Sequence, residues 1–366
     1  MKILLCVDRL TGGGAQRVAS LWATGWAQLG HDINICLSND RTPRTYSVPD
    51  SAKFYSIDWN ITNGYVRHLM KLLFSKRRMI KVIKQVDPDV IITVGTHWSE
   101  IVYEARERTN LLIPIICTDH NSYERPLSAP MSKRDTYLKY EFSKRFEQVT
   151  VLTQADKDFI GGRLTNVDVL PNPLAFEPVQ SLPQKKKTII AVGRLDAGHS
   201  KGFDILIKAF GMSRHSGWIL QIAGGGSKDS LEKYKNLAER CGVKNDVEFL
   251  GFVDDPISLY RESSIFILSS RYEGFGMVLI EAMSQGCACI ACDYKGRQKE
   301  IITNENEGMI CPTEDVDALS ECIERLIRDT NYRELIQSNA PKRASFYSLD
   351  NIMERWNVIF KKLKLI

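Results

Sequence analysis

The sequence has no long apolar segment. Apolar runs such as residues 111–117 are far shorter than the roughly 20 residues that a membrane-spanning helix needs. The first residues lead directly into an expected strand at 3–7 and lack the charged and apolar regions of a signal peptide. We therefore expect a cytoplasmic protein that is either soluble or bound to a membrane surface.

The sequence also has little excess of charge of either sign. Its 49 Lys and Arg residues exceed its 44 Asp and Glu residues by only five, which does not by itself indicate a nucleic-acid partner. The composition, 43% hydrophobic and 25% charged, excludes a disordered or fibrous chain. A domain takes about 100–200 residues, so the 366 residues predict two domains.

The cysteines lack the pattern of a disulfide framework. There are nine of them, an odd number, and most lie in apolar strand-like runs, which is typical of buried free thiols in a reducing compartment. Cys289 and Cys292 form a C-x-x-C pattern, but no second pair or close histidine pair accompanies them. We therefore predict no metal or redox site there.

What the sequence does have is strand-like segments that alternate with helical patterns, which is typical of parallel sheets. Expected strands lie at 3–8, 33–38, 53–58, 90–95, 113–120, 149–153 and 167–171, and a second series lies at 188–193, 218–224, 247–253, 265–270, 287–293 and 308–311. Three prolines within 171–178 predict a linker between the two series. The pattern predicts an α/β protein with two doubly wound domains, 1–175 and 176–345, and a C-terminal helix at 346–366.

Three glycines, Gly12 to Gly14, separate the first expected strand from a helical pattern. Glycines at this place let backbone N–H groups approach an anion at a helix N-terminus. Arg17 replaces the third glycine of a dinucleotide-binding fingerprint, and no P-loop Gly-Lys-Ser/Thr follows. A tight turn is the alternative, but three consecutive glycines favour contact with a phosphate.

Two cations follow the first strand of the second series. Arg194 ends that strand, and Lys201 precedes an amphipathic helix. Two cations at the carboxyl end of a sheet suit a diphosphate, which needs charge neutralisation. Each cation alone would be typical of a solvated surface, so the prediction depends on the pair.

Residues 271–283 form the most specific segment. Glu273 lies at the mouth of a strand and Glu281 lies eight residues later in the next helix, which Gly274 and Gly276 open. The start of such a helix can face a phosphate. Glu281 has apolar neighbours and needs a partner, and a ribose diol can donate two hydrogen bonds to a carboxylate. Acidic capping of a surface helix would explain Glu273 but not Glu281.

Together these motifs resemble the retaining glycosyltransferases of family 4, which have the GT-B fold of two Rossmann-like domains that face each other across a cleft. The resemblance covers nearly the whole chain. It implies that domain 1–175 binds the acceptor, that domain 176–345 binds the nucleotide sugar, and that the helix at 346–366 returns to the N-terminal domain.

The resemblance also implies roles for individual residues. The catalytic group would comprise His120, which matches the family's histidine near the reaction centre, Glu273 at the donor sugar, and Arg194 with Lys201 at the diphosphate. By composition alone His120 could equally be structural. The residues expected to bind the nucleotide sugar are Gly13, Gly14, Arg194, Lys201, Gly276, Met277 and Glu281.

The implied reaction is the retaining transfer of a hexose or N-acetylhexosamine from a nucleotide sugar, with UDP expected. The expected acceptor is a lipid-linked glycan of surface polysaccharide or lipopolysaccharide biosynthesis. No metal cofactor is expected if the cations neutralise the diphosphate, and no nucleic-acid partner is expected. Residues 293–299 replace the family's usual glycine–proline step, so the sugar is not identified. A sugar-nucleotide 2-epimerase-type enzyme and a non-catalytic sugar-nucleotide or lipid-binding module are the alternatives.

Residues 64–86 contain seven Lys and Arg residues and no acidic residue. Apolar residues at 66, 69, 73, 80 and 83 fall near one helical face, with the residues at 72, 74 and 79 extending it. This pattern is typical of a helix on an anionic bilayer, so we predict peripheral association with the inner face of the cell membrane. The alternative is an apolar stripe packed on the sheet with solvated lysines.

Overall fold

The computed structural model describes residues 1–38, 42–57, 64–197 and 200–366. These residues form two compact units, which we call the N-terminal unit (Met1–Ala175 with Leu349–Ile366) and the C-terminal unit (Phe176–Ser348). The first boundary lies inside the proline-rich segment. The C-terminal unit extends to Ser348 rather than to 345, because Tyr347 is buried in it and donates to the carbonyl of Glu300 at 3.1 Å.

The N-terminal unit is built on a seven-stranded parallel sheet. Its strands are β1 Lys2–Val7, β2 Asp32–Leu37, β3 Lys53–Ser56, β4 Val90–Val94, β5 Ile115–Thr118, β6 Gln148–Val151 and β7 Val167–Val169. Their order in the sheet is β3-β2-β1-β4-β5-β6-β7. The helices between them are α1 Gly14–Gln28, α2 Gly64–Val86, α3 Thr96–Glu107, α4 Lys133–Thr136 and α5 Gln154–Ile160.

The C-terminal unit repeats this plan with six parallel strands. They are β8 Lys186–Val192, β9 Ile219–Ala223, β10 Val247–Gly251, β11 Ser263–Leu268, β12 Ala288–Asp293 and β13 Met309–Pro312, in the order β10-β9-β8-β11-β12-β13. Its helices are α6 Phe203–Met212, α7 Lys228–Arg240, α8 Ile257–Glu262, α9 Met277–Ser284, α10 Val316–Arg328 and α11 Thr330–Ala344. The last helix, α12 Leu349–Lys362, belongs to the N-terminal unit.

The central strands are buried along their whole length. All five residues of β4 and all six of β11 are buried, which explains why both strands are mostly apolar rather than alternating; the exceptions are Thr93, Ser263 and Ser264. Each expected strand has a counterpart whose ends differ by at most two residues. The prediction of two doubly wound α/β halves is therefore confirmed.

Helix α12 packs on the N-terminal unit through aromatic rings. The Trp356 ring centroid lies 5.1 Å from that of Trp22 and 5.0 Å from that of Trp26, both on α1. Gly25 of α1 allows this approach, since a Cβ there would lie 2.6 Å from the Sδ of Met353. Tryptophan pairs at such distances add to the free energy gained by burying the rings.

The structure corrects part of the membrane interpretation of α2. Met79 and Ile83, which the pattern assigned to a lipid-facing stripe, are fully buried in the hydrophobic core. They pack there with apolar residues of the sheet and of α3, so the second half of the stripe is core. The side chains at 66, 69, 72 and 73 lie outside the described part of the chain. Among the described helices, none is long and apolar enough to cross a membrane.

Candidate functional site

The strand order of the C-terminal unit reverses between β8 and β11, which are neighbours in the sheet but distant in the chain. In open parallel sheets, ligands bind at such a reversal, outside the carboxyl ends of the strands. Arg194 and Lys201 follow β8, whereas Glu273 and Gly276 follow β11. The topology therefore brings four of the sequence-predicted residues to one edge of the sheet.

Two of these residues are in direct contact. The Nζ of Lys201 lies 2.5 Å from the Oε1 of Glu273, and the side chains are 25% and 16% exposed. The same Oε1 accepts a second hydrogen bond, at 2.8 Å, from the hydroxyl of Ser270. Charge-assisted hydrogen bonds of this kind are about twice as strong as neutral ones, so Glu273 has a fixed position.

The backbone around Lys201 is fixed by the end of β11. The hydroxyl of Ser269 donates to the carbonyl of Lys201 at 2.9 Å, and the N–H of Arg271 donates to the carbonyl of Ser200 at 2.7 Å. Gly202 has φ +63°, and a Cβ on it would lie 2.0 Å from the carbonyl oxygen of Ser269. Only glycine fits there, so this contact fixes the backbone position of the neighbouring Lys201.

Arg271 lies beside the site but is engaged elsewhere. Its guanidinium makes two hydrogen bonds to the carboxylate of Asp204, at 2.8 and 2.7 Å, and a third to Glu314 at 2.9 Å. This forked geometry is specific to arginine. Arg271 therefore ties the start of α6 to the loop after β11.

Arg194 is exposed to solvent. The carboxylate nearest to it in the sequence, Asp196, accepts hydrogen bonds from the N–H of Ser227 at 2.9 Å and from the hydroxyl of Ser230 at 2.7 Å. The hydrogen bond from the Ser227 N–H is the main reason that the pKa of Asp196 is lowered. Asp196 thus caps the N-terminus of α7, and the charge of Arg194 contributes a smaller part of the lowering of the Asp196 pKa.

Helix α9 carries the remaining predicted residues of this unit. It begins after Gly276, whose φ of +96° lies in the left-handed region that favours glycine, and its first residue, Met277, is partly exposed. Glu281 is only 3% exposed, and the hydroxyl of Tyr260 donates to its Oε2 at 3.4 Å. Tyr260 is thus an internal partner of this buried carboxylate, and the contact between Glu281 and a ribose stays a prediction.

His120 follows β5 in the N-terminal unit. Burial lowers the pKa of its imidazole to about 4, although Asp119 and Asn172 act in the opposite direction, so the ring is neutral at pH 7. Its Nε2 lies 3.2 Å from the hydroxyl of Thr118, and that hydroxyl donates to the carbonyl of Thr93 at 2.8 Å. Since Thr118 has one proton and donates it to Thr93, it offers none to His120 at this contact.

The Nδ1 of His120 is buried and, like the buried Oδ1 of Asn172, makes no hydrogen bond of normal geometry among the described residues. Asn172 nevertheless lies near enough to raise the pKa of the ring. The ring packs against Trp22 at a centroid distance of 5.4 Å. A buried polar atom without a full hydrogen bond is unfavourable, so a hydroxyl that reached this ring would improve its hydrogen bonding.

The glycine loop lies in the same unit, after β1. Gly13 immediately precedes α1 in an extended conformation, and α1 begins at Gly14, which is exposed. The first N–H groups of a helix have no partner within the helix. The geometry is compatible with the predicted contact between this loop and an anion.

Sequence reasoning missed the three hydroxyl residues Ser269, Ser270 and Tyr260, which fix the predicted ones. The pair Ser269-Ser270 could have been noticed, because two hydroxyl residues end an otherwise apolar expected strand just before Arg271.

The C-x-x-C cysteines are buried free thiols. Across residues 1–38, 42–57, 64–197 and 200–366, no three His, Cys, Asp or Glu residues are grouped to hold a metal ion.

Two family models match consecutive parts of the chain. The model of Glycosyltransferase Family 4 matches residues 12–176, and the model of Glycosyl transferases group 1 matches residues 175–343. The two matches meet at the boundary between the two units.

Two relatives align over nearly their whole lengths. The amylovoran biosynthesis glycosyltransferase AmsD of Erwinia amylovora is 28% identical, over 98% of this chain and 99% of its own. A Campylobacter jejuni enzyme is 25% identical, over 100% of this chain and 99% of its own. Its name is GalNAc-alpha-(1->4)-GalNAc-alpha-(1->3)-diNAcBac-PP-undecaprenol alpha-1,4-N-acetyl-D-galactosaminyltransferase.

Among solved structures, Anabaena HepE in complex with UDP and glucose is similar, with a TM-score of 0.77 and 20% identity. The alignment covers 99% of this chain and 100% of that chain. At this identity the likeness establishes the shared fold, so both halves of the GT-B architecture are present.

Proposed function

This chain belongs to the glycosyltransferases, with a family 4 domain followed by a group 1 domain, and on that premise we propose that it is a retaining hexosyltransferase. It moves a hexose or N-acetylhexosamine from a UDP-sugar to a lipid-linked glycan in surface polysaccharide or lipopolysaccharide biosynthesis. The C-terminal unit binds the donor and the N-terminal unit binds the acceptor.

The observation that carries this proposal is the group of charged residues at the reversal of the second sheet. A cation and two carboxylates of low exposure, Lys201, Glu273 and Glu281, lie in the segments after β8 and β11. In the proposed complex Lys201 and Arg194 bind the diphosphate, Glu281 binds the ribose hydroxyls, and Glu273 binds the sugar. Gly276 and Met277 contact the nucleotide at the start of α9, and Gly13 and Gly14 contact its phosphates.

In the proposed reaction the bond between the sugar and the diphosphate breaks, and negative charge develops on the departing phosphate. Arg194, Lys201 and the positive end of the α9 dipole stabilise that charge, without a resident metal ion. The acceptor hydroxyl attacks from the same face and gives its proton to the departing phosphate oxygen. Because the attack is on the same face and the phosphate oxygen is the base, Glu273 is not the nucleophile. Glu273 and neutral His120 instead form hydrogen bonds with the sugar.

The names of the two relatives support the acceptor class. One is named for the biosynthesis of amylovoran, and the name of the other includes an undecaprenol-linked substrate. A lipid-linked acceptor implies contact with the inner face of the membrane. The exposed basic residues Arg77, Arg78, Lys81 and Lys84 of α2 are placed to attract anionic headgroups, each contributing about 1 kcal/mol. Equal co-sedimentation with anionic and neutral vesicles would count against this contact.

The donor proposal is tested by thermal unfolding with UDP, GDP, ADP and NADH in parallel. A ligand at about 100 times its Kd adds about 2.7 kcal/mol of stability. We expect UDP alone to raise the Tm, Glu281→Ala to abolish the shift, and the control Glu248→Ala, on the exposed side of β10, to retain it. A shift with GDP alone would keep the enzyme class and change the donor. No shift with any nucleotide would contradict the proposed donor site.

A nucleotide shift without glycosyl transfer would favour a binding module over an enzyme. Turnover is therefore measured with UDP-sugars and a lipid-linked acceptor, by release of UDP. We expect Glu273→Gln to lower turnover more than it changes nucleotide affinity, and unchanged turnover would remove Glu273 from the site.

A further inference from the structure

Lys201 and Glu273 are both assigned to the donor, yet in this structure they bind each other. The Lys201 ammonium and the Ser270 hydroxyl share one carboxylate oxygen, Oε1. In the part of the chain that the structure describes, the other oxygen, Oε2, accepts no hydrogen bond. The carboxylate therefore has one saturated oxygen and one open oxygen.

We infer that the Lys201–Glu273 ion pair is exchangeable, and that a donor diphosphate takes the Lys201 ammonium away from Glu273. Ser270 is then the positioning residue that holds Glu273 in place while its Oε2 accepts a sugar hydroxyl. This inference rests on the proposed function, because it needs a nucleoside diphosphate as ligand.

The exchange concerns only the end of the Lys201 side chain, because the backbone is fixed and the last methylene groups lie beside Gly193. Its carbonyl accepts from Ser269, and the next residue, Gly202, lies against the end of β11. The four-carbon side chain carries three rotatable donors, so the ammonium can turn while the backbone stays. A diphosphate carries more negative charge than one carboxylate and competes well for it.

Losing Lys201 would leave Glu273 with an unfavourable environment. The Glu273 side chain is only 16% exposed. A poorly solvated carboxylate without its cation is unfavourable, so the loss of Lys201 destabilises the complex with the diphosphate. Ser270 is 2% exposed and follows directly on β11, so its hydroxyl stays in place. Its hydrogen bond to Oε1 then becomes the contact that retains the carboxylate.

Isothermal titration with UDP separates this exchange from a static ion pair. In Glu273→Gln the competitor for Lys201 is gone, and we expect UDP to bind about 3–10-fold more tightly. In Ser270→Ala the carboxylate lacks support once Lys201 leaves, and we expect UDP to bind about 3–10-fold more weakly. In the double variant Ser270 has no carboxylate to hold, so its affinity should lie within about twofold of that of Glu273→Gln.

Ser264→Ala is the matched control, because Ser264 is a buried serine at the other end of β11 whose hydroxyl donates to the carbonyl of Lys186 at 2.6 Å. It should leave the UDP affinity unchanged. If Ser270→Ala fails to fold, the isosteric pair Ser270→Thr and Ser270→Val replaces it, and only the valine variant should lose affinity.

Weaker UDP binding in Glu273→Gln would overturn the inference, since it would mean that Glu273 supports Lys201 instead of competing for it. An equal loss from Ser270→Ala with and without Glu273 would also overturn it, because Ser270 would then be structural only. If the wild-type protein binds none of UDP, GDP and ADP, the proposed donor site itself fails. Failure of the proposed function is thus distinguishable from failure of the exchange.

Discussion

The carboxyl edges of the two sheets carry ion pairs of very different exposure. At the reversal of the C-terminal unit, the Lys201–Glu273 pair is partly exposed, at 25% and 16%, and Arg194 is open to solvent. At the carboxyl edge of the N-terminal unit, the pair of Lys139 and Asp119 is only 7% and 2% exposed, with 2.8 Å between Nζ and Oδ2. One topology therefore supports an accessible charged site in one unit and a sealed ion pair in the other.

The two edges differ in how accessible their charged side chains are to a ligand. At the N-terminal edge, Lys139 and Asp119 neutralise each other, and the ring of His120 is neutral. At the C-terminal edge, the charged groups are more accessible to a ligand. Four comparisons, from the largest expected effect to the smallest, would break or sharpen this contrast.

Replacing the lysine of each pair by methionine should affect the two units very differently. Lys139→Met leaves Asp119 buried without its cation, and we expect a loss of about 3–5 kcal/mol in the free energy of unfolding. Lys201→Met removes a more exposed pair, and we expect a loss of about 1 kcal/mol or less. Urea denaturation followed by circular dichroism measures both. Equal losses would contradict the distinction between a sealed pair and an accessible one.

Replacing one glycine with a positive φ in the loop after the first strand of each unit sharpens the same contrast. Gly202→Ala places an alanine at φ +63° with its Cβ 2.0 Å from a backbone oxygen. We therefore expect a loss of about 2–4 kcal/mol in the free energy of unfolding. We also expect weaker UDP binding. Gly12→Ala shares the positive φ, +72°, but its Cβ would meet nothing within 4 Å. The loss should be about 1 kcal/mol, again from urea denaturation. A larger effect at Gly12 would contradict the tight contact at Gly202.

Acid should weaken the N-terminal unit through His120. Burial lowers the pKa of His120 in the folded protein to about 4 from its ordinary value of 6.5. Between these pH values the unfolded chain therefore binds a proton at this residue and the folded chain does not. The free energy of unfolding should therefore fall as the pH drops from 6.5 to 4, by at most about 3 kcal/mol. Denaturation of wild-type protein and His120→Gln at pH 7 and pH 5 tests this. An identical pH dependence in both would rule out His120 as the cause.

Arg271→Lys should have the smallest effect. Lysine cannot make the two parallel hydrogen bonds to Asp204, so we expect a loss of about 1 kcal/mol in the C-terminal unit. Arg240→Lys, on the exposed last turn of α7, is the control and should cost almost nothing. If the two variants unfold alike, Arg271 does not tie the loop after β11 to α6.

The sequence by itself determined the two series of strands, the break between them and the presence of a C-terminal helix, whereas the return of that helix to the N-terminal unit was implied by the family resemblance. The strands and the break are readable because a strand covered on both faces is mostly apolar, and because prolines exclude regular structure locally. The sequence also predicted cations and a glycine-led helix start at one edge of the second sheet, because these groups suit a diphosphate.

Only the tertiary structure decided which of those residues meet. Lys201 and Glu273 are 72 residues apart, and their contact, like the choice of Ser270 as the second donor, follows from β8 and β11 being neighbours in the sheet. The burial that makes His120 neutral and the burial of Met79 and Ile83 in the core are likewise set by what packs against them. An amphipathic pattern gives the direction of an apolar face but not its partner, because lipid and protein core satisfy the same hydrophobic requirement.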